Sequence, residues 1–204
     1  MSSSGLSAAP EVDRSVLERI FALTEEGQDI WHRFDAEVRQ EQWHPFVPAD
    51  YTRVQAALVA LRAPGLKFLE WGSATGVITI MADLLGFEAY GIECDPQLVE
   101  VARGLAAKFD SRAAFAVGSF LPTGYAWRPR DGDGRLGTIG EGVSGYLELG
   151  HPLEDFDLVY GYPWGGEEPL MHDLMRCYGG RQSRLLIHGS TGGVQVYRDG
   201  RLTG

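Results

Sequence analysis

The chain has 204 residues, 44% of them hydrophobic and 23% charged, enough for one domain with an appendage and a core of ordinary size. Its 18 lysines and arginines face 28 aspartates and glutamates, a formal charge of −10, which argues against a protein whose main partner is DNA or RNA. Cys94 and Cys177 are too few for a disulfide framework or a four-cysteine metal site, and the five histidines are scattered, so no metal is expected.

Residues 1–10 are small and polar and read as a disordered terminus without the layout of a signal peptide. No run approaches the roughly 18 apolar residues of a membrane span, so the expectation is a soluble, cytoplasmic chain. Residues 11–64 read as an N-terminal helical cap. Val16, Ile20, Leu23, Ile30, Phe34 and Val38 recur at helical spacing, with Gly27 as the predicted break between two helices. Pro45 and Pro48 force the segment after Trp43 to be extended. Asp50 is a predicted N-cap for a helix through Val54, Leu58 and Leu61 that stops at Pro64-Gly65. Trp31, Trp43 and Phe46 are read as core beneath this cap, the alternative being a pocket wall.

The main pattern occupies residues 65–204. Strands are predicted at 67–71, 88–93, 113–117, 156–160 and 184–188, with 194–197 as the one strand that can follow His188. Helices are predicted from Val77 to Leu85, from Pro96 to Phe109 and from Pro169 to Tyr178. Alternation of strands and helices predicts an α/β layered fold with a mostly parallel sheet. Residues 121–155, rich in glycine and without periodicity, read as an insertion near the mouth of a site, either a substrate lid or a disordered loop.

Ligands of open parallel sheets sit beyond the carboxyl ends of the strands. The first strand leaves as Glu70-Trp71-Gly72-Ser73-Ala74-Thr75-Gly76. Gly72 permits a tight turn, Ala74 is small enough for close approach of a ligand, and Gly76 lets the next helix pack closely. The spacing is not the G-x-G-x-x-G of a nicotinamide dinucleotide site, and Glu70 would repel a pyrophosphate there while attracting a cationic amino group. Glu93 ends the second strand 23 positions after Glu70, where a ribose diol finds its acceptor. Gly118-Ser119-Phe120 leaves the third strand, with Ser119 placed to meet an adenine edge and Phe120 to offer an apolar face. Plainer alternatives stand beside these: Glu70 as a salt-bridged strand end, Glu93 as a solvated turn residue, and Ser119 without a ligand. Asp95 before Pro96 reads as a helix cap, and Cys94 as a bystander beside the ribose rather than a nucleophile.

F-L-E-W-G-S-A-T-G, Y-G-I-E-C-D-P and V-G-S-F, in this order and spacing, resemble the successive cofactor motifs of class I S-adenosylmethionine-dependent methyltransferases, over residues 67–188. The resemblance implies a Rossmann-like three-layer sandwich and S-adenosyl-L-methionine as cofactor. It implies Glu70, Gly72, Ser73, Ala74 and Gly76 around the methionine moiety, Glu93 and Cys94 at the ribose, and Gly118, Ser119 and Phe120 at the adenine. Two departures are Ala74 for the middle glycine and Ser119 where the family often has Asp. Phe46-Val47-Pro48-Ala49-Asp50-Tyr51 also resembles a short pre-motif of the protein-lysine methyltransferases.

The fourth strand exits through Tyr162-Pro163-Trp164, without the amide or carboxylate that adenine-methylating enzymes of this kind place there. Tyr162 and Trp164 are predicted to wall the methyl channel, their aromatic faces favouring a sulfonium. Glu167 and Glu168 either orient an amine acceptor and take its proton, or simply begin the next helix. His188 and Ser190, at the end of the fifth strand, are further pocket candidates, a structural role being the plainer reading. The expected activity is methyl transfer to a small-molecule or protein side-chain acceptor, with nitrogen as the candidate nucleophile. The competing readings are a non-catalytic methyltransferase-like binding module and, against the motif spacing, a nicotinamide-dependent oxidoreductase.

Overall fold

A computed structural model describes residues 12–41, 44–126, 142–164, 166–189 and 193–203. The expected disordered terminus, Trp43, Ser190 and the glycine-rich centre of the 121–155 stretch lie outside the described residues.

Helix α1 (Arg14–Phe34) starts where Asp13 accepts a hydrogen bond from the Ser15 amide at 2.7 Å. It runs through Gly27 without interruption, contrary to the predicted break, and ends in a π-helical turn at Asp35–Arg39. Glycine at 27 serves contact instead: a Cβ there would lie 2.6 Å from Val77 Cγ2, so its absence lets α1 close onto the start of α3 (Val77–Leu84). Helix α2 (Tyr51–Leu61) is capped by Asp50, which accepts from the Arg53 amide at 3.1 Å, and stops just before Pro64.

The sheet comprises β1 (Lys67–Trp71), β2 (Glu88–Glu93), β3 (Ala114–Val117), β4 (Leu158–Gly161), β5 (Arg184–His188), β6 (Val194–Arg198) and β7 (Arg201–Leu202). Their spatial order is β3-β2-β1-β4-β5-β6-β7, with β1 to β5 parallel and the last two antiparallel. Two strands therefore follow His188, not one. Asp199 and Gly200 take φ of 51° and 71°, the left-handed pair of a two-residue hairpin, which returns the chain as β7. Strand order reverses between β1 and β4, which creates the crevice at their carboxyl ends.

Helices cover both faces. Phe68, Tyr160 and Leu186 pack beneath α1, α2, α3 and α4 (Pro96–Lys108), whereas Leu69, Val159 and Leu185 pack beneath α6 (Glu168–Tyr178) and the single turn α5 (Tyr146–Leu149). Part of the expected lid or loop is thus core: Tyr146 and Leu153 are buried, and the Trp71 indole N–H donates to Tyr146 Oη at 2.8 Å.

Candidate functional site

The turn after β1 is built from three left-handed residues at alternate positions, Gly72, Ala74 and Gly76, with φ of 68°, 45° and 76°. Two are glycines, for which this conformation is free; Ala74 carries a Cβ and is strained by about 1–2 kcal/mol. Glu93, at the end of β2, holds the strained residue in place. Its Oε2 accepts the Ala74 amide at 2.9 Å and its Oε1 accepts the Asp95 amide at 2.9 Å. A carboxylate has about four acceptor positions and three backbone amides bond to Glu93, which leaves about one position for a hydroxyl. Burial pushes the Glu93 carboxyl up, and the three backbone amides of Asp95, Ala74 and Cys94 oppose that rise.

Glu70 lies on the same crevice, four per cent exposed. Its Oε2 accepts from the Thr79 amide at 2.9 Å and the Thr79 hydroxyl at 2.5 Å, within the first turn of α3. Desolvation outweighs these bonds and pushes the carboxyl up to about 8, so at neutral pH the buried group holds its proton. Cross-strand pairing sets Glu70 beside Tyr160, whose hydroxyl meets His188 Nδ1 at 3.1 Å. Burial keeps His188 below its ordinary range, so this is a neutral hydrogen-bonded pair, flanked by the Tyr162 ring at 4.4 Å.

The crevice has two adjoining lobes. The first is lined by Glu70, Gly72, Ser73, Ala74, Thr75 and Tyr160, with Tyr51 and Val77 behind them. The second is lined by Glu93, Leu98, His44 and Trp164. Gly72, Ala74, Phe46, Val47 and Tyr162 border both, so Tyr162 stands where the lobes meet. Among the described residues both linings hold glutamates and neither holds a lysine or arginine. The outer wall is the extended segment 44–49, pinned by His44 Nε2 against Asp95 Oδ2 at 3.3 Å and by edge contacts of His44 and Phe46 with Phe34. Phe46 is therefore a cleft wall, not solely cap core. Pro45 and Pro48 were the signal: they hold the segment extended, and it lies along the turn after β1.

Gly76 also faces its neighbours, since a Cβ there would meet the Phe115 ring at 2.6 Å. Other expected site residues sit elsewhere. Phe120 is one per cent exposed and stacks on Trp71, ring centres 5.2 Å apart, in the core on the α6 side of the sheet. Ser119 Oγ accepts the Leu121 amide at 3.1 Å, while the Ser119 and Gly118 backbone is pressed against residues 143–145. Cys94 donates to the Gly118 carbonyl at 3.2 Å, and burial pushes its thiol up to about 12, so it is no nucleophile. Glu167 is buried and accepts the Trp164 amide at 2.9 Å, and Glu168 opens α6. The structure thus brings Glu70, Gly72, Ser73, Ala74, Glu93, Tyr162 and Trp164 together at one cleft, adds Tyr51, Tyr160 and His44, and leaves Gly76, Cys94, Gly118, Ser119, Phe120 and Glu167 off its lining. No group of three or more potential metal ligands occurs among the described residues, and no described helix is long and apolar enough to cross a membrane.

No protein-family model and no curated protein matches the chain. Solved structures do. An RNA methyltransferase from Salinibacter ruber in complex with S-adenosyl-L-homocysteine is similar at 16% identity and TM-score 0.50, over 69% of this chain and 76% of that one. A precorrin-6Y C5,15-methyltransferase from Geobacter metallireducens (18% identity, 70% and 67% covered, TM-score 0.46) and a TehB-like SAM-dependent methyltransferase from Corynebacterium glutamicum (20%, 84% and 76%, 0.44) are further neighbours. At such identities the likeness is one of fold. The chain has the Rossmann-like α/β fold of the class I S-adenosylmethionine-dependent methyltransferases.

Proposed function

We propose that the protein is an S-adenosylmethionine-dependent methyltransferase acting on a small molecule or protein side chain, with a nitrogen nucleophile. The observation that carries this reading is Glu93: one half-buried carboxylate fixes the strained Ala74 and the Asp95 amide and keeps acceptor capacity toward the cleft. Such an acceptor suits the vicinal hydroxyls of a ribose. Gly72 lines both lobes, and the space its Cβ would take is open, so the turn can lie against a ligand. Glu70, in the lining of the first lobe, suits the ammonium of a methionine moiety, giving up its proton as the ammonium binds. The donor set therefore fits the cofactor, which when bound supplies a methyl group on a sulfonium.

The chain's own contribution is positioning. Holding a nucleophile in line at about 3–3.5 Å contributes up to ~7–11 kcal/mol to such a transfer. Tyr162, at the junction of the lobes and braced by His188, presents an aromatic face to that position, with Trp164 beside it. Among the described residues the cleft lining offers no lysine or arginine for a phosphate-bearing acceptor, which favours acceptors without phosphate, in keeping with the net charge. Proton removal by Glu167 has little support, because its carboxylate serves the Trp164 amide. That same observation favours a second reading, a binding module that keeps the cofactor and acts through a partner.

Isothermal titration with S-adenosylhomocysteine tests the first claim. Wild type binds saturably and Glu93→Ala weakens binding at least about tenfold, the loss of a charge-assisted bond to a ribose hydroxyl. Equal binding by wild type and variant refutes it. Transfer of a labelled methyl group to an amine panel separates enzyme from module.

A further inference from the structure

The acidic character of the chain stops near its end. Between residues 176 and 201 there are five arginines (Arg176, Arg181, Arg184, Arg198 and Arg201) and one acid, Asp199, within a protein of net charge −10. The fold gathers these residues at one corner, the amino end of β5 and the β6–β7 hairpin, opposite the strand ends that carry the cleft. Arg184 pairs with Arg198, and Arg198 with Arg201, so three like charges stand in a row across adjacent strands. Like charges directly opposite one another are destabilising, and burial together with Arg198 lowers the proton affinity of Arg184.

On the other face of the same strands lies a cavity of about 340 Å3, the space of roughly ten waters at ~30 Å3 each. Met175, Leu185 and Tyr197 form its apolar floor. His172, Arg176, Arg181 and Asp199 stand around it. Two of these side chains are engaged: Arg176 holds Asp173 at 2.5 Å, and His172 lies 3.6 Å from Glu168. Arg181 is exposed and forms no ion pair among the described residues. Tyr197 and His172 meet with their rings perpendicular, centres 4.6 Å apart.

We propose that this cavity is a binding site, separate from the cleft at the strand ends, for a small amphiphilic anion whose apolar body rests on Met175, Leu185 and Tyr197 and whose single oxyanion group is held by Arg181. The arginine row on the opposite face adds positive potential that draws such an anion to this corner of an otherwise acidic surface. A planar guanidinium suits a carboxylate, phosphate or sulfonate by paired hydrogen bonds.

The test uses the full chain with anilinonaphthalene sulfonate, an aromatic body with one sulfonate, followed by fluorescence. Wild type is expected to show one saturable site, not displaced by S-adenosylhomocysteine. Arg181→Glu weakens it about tenfold or more, the loss of one charge-assisted contact. Met175→Trp, which fills the floor, removes it, with circular dichroism confirming that both variants fold. The uncharged analogue phenylnaphthylamine binds more weakly than the sulfonate. Absence of a saturable site, displacement by S-adenosylhomocysteine, unchanged binding in either variant, or equal binding of the uncharged analogue overturns the proposal.

Discussion

Replacing Glu70 by Gln tests the central electrostatic feature of the cleft. The Glu70 carboxyl titrates near 8 in the folded protein against 4.5 in an ordinary environment, chiefly because burial disfavours its charge. The native state thus keeps a proton that the unfolded chain releases. Between these two values the native state binds one proton more, so stability falls as pH rises, by about 1.4 kcal/mol per pH unit. The contribution is fully present below 4.5 and is lost as pH passes 8, a total on the order of 5 kcal/mol. Glutamine keeps an acceptor for the Thr79 amide and never ionises. Urea unfolding of wild type and Glu70→Gln, followed by tryptophan fluorescence at pH 5, 7 and 9, should show a gap that grows with pH in favour of the variant. S-adenosylhomocysteine should bind Glu70→Gln more weakly, and its binding to wild type should release a proton, visible as a buffer-dependent enthalpy. A stability gap independent of pH refutes a buried, protonated Glu70.

Gly27→Ala gains helix propensity of about 1 kcal/mol but places a Cβ 2.6 Å from Val77 Cγ2. Overpacking of about 1–3 kcal/mol should win, so thermal denaturation should show a lower Tm; an unchanged or higher one contradicts close packing of α1 on α3. Tyr146→Phe leaves the buried Trp71 N–H without its acceptor at 2.8 Å and should cost about 1–3 kcal/mol in urea unfolding, with no loss expected only if that bond is absent. Iodoacetamide at pH 8 should alkylate the exposed Cys177 and leave Cys94, whose thiol is held near 12, unmodified, as read by mass spectrometry of the native protein. Modification of both at equal rates would show that Cys94 is not buried against Gly118.

Local chemistry was legible from the residues alone wherever a short run of side chains decides the backbone. Asp50 before α2, Asp95 before Pro96, the apolar runs of β1, β2 and β5, and the acid–glycine turn between Glu70 and Gly76 all lie where their composition places them, because caps, alternation and left-handed turns act over a few residues. The Asp199-Gly200 pair carried an equally local hairpin signal, and it is this turn that adds β7. What composition could not decide was which neighbour each side chain meets. Gly27 looks the same in sequence whether it breaks a helix or admits Val77, and Phe120 looks the same whether it faces adenine or Trp71. Glu167 gives no sign beforehand that its carboxylate will turn back to the Trp164 amide. Those choices depend on contacts between segments far apart in the chain, made only when α1 closes on α3, segment 44–49 settles over the turn after β1, and β6 folds back along β5; the partners of a buried group are set by packing, which no single segment contains.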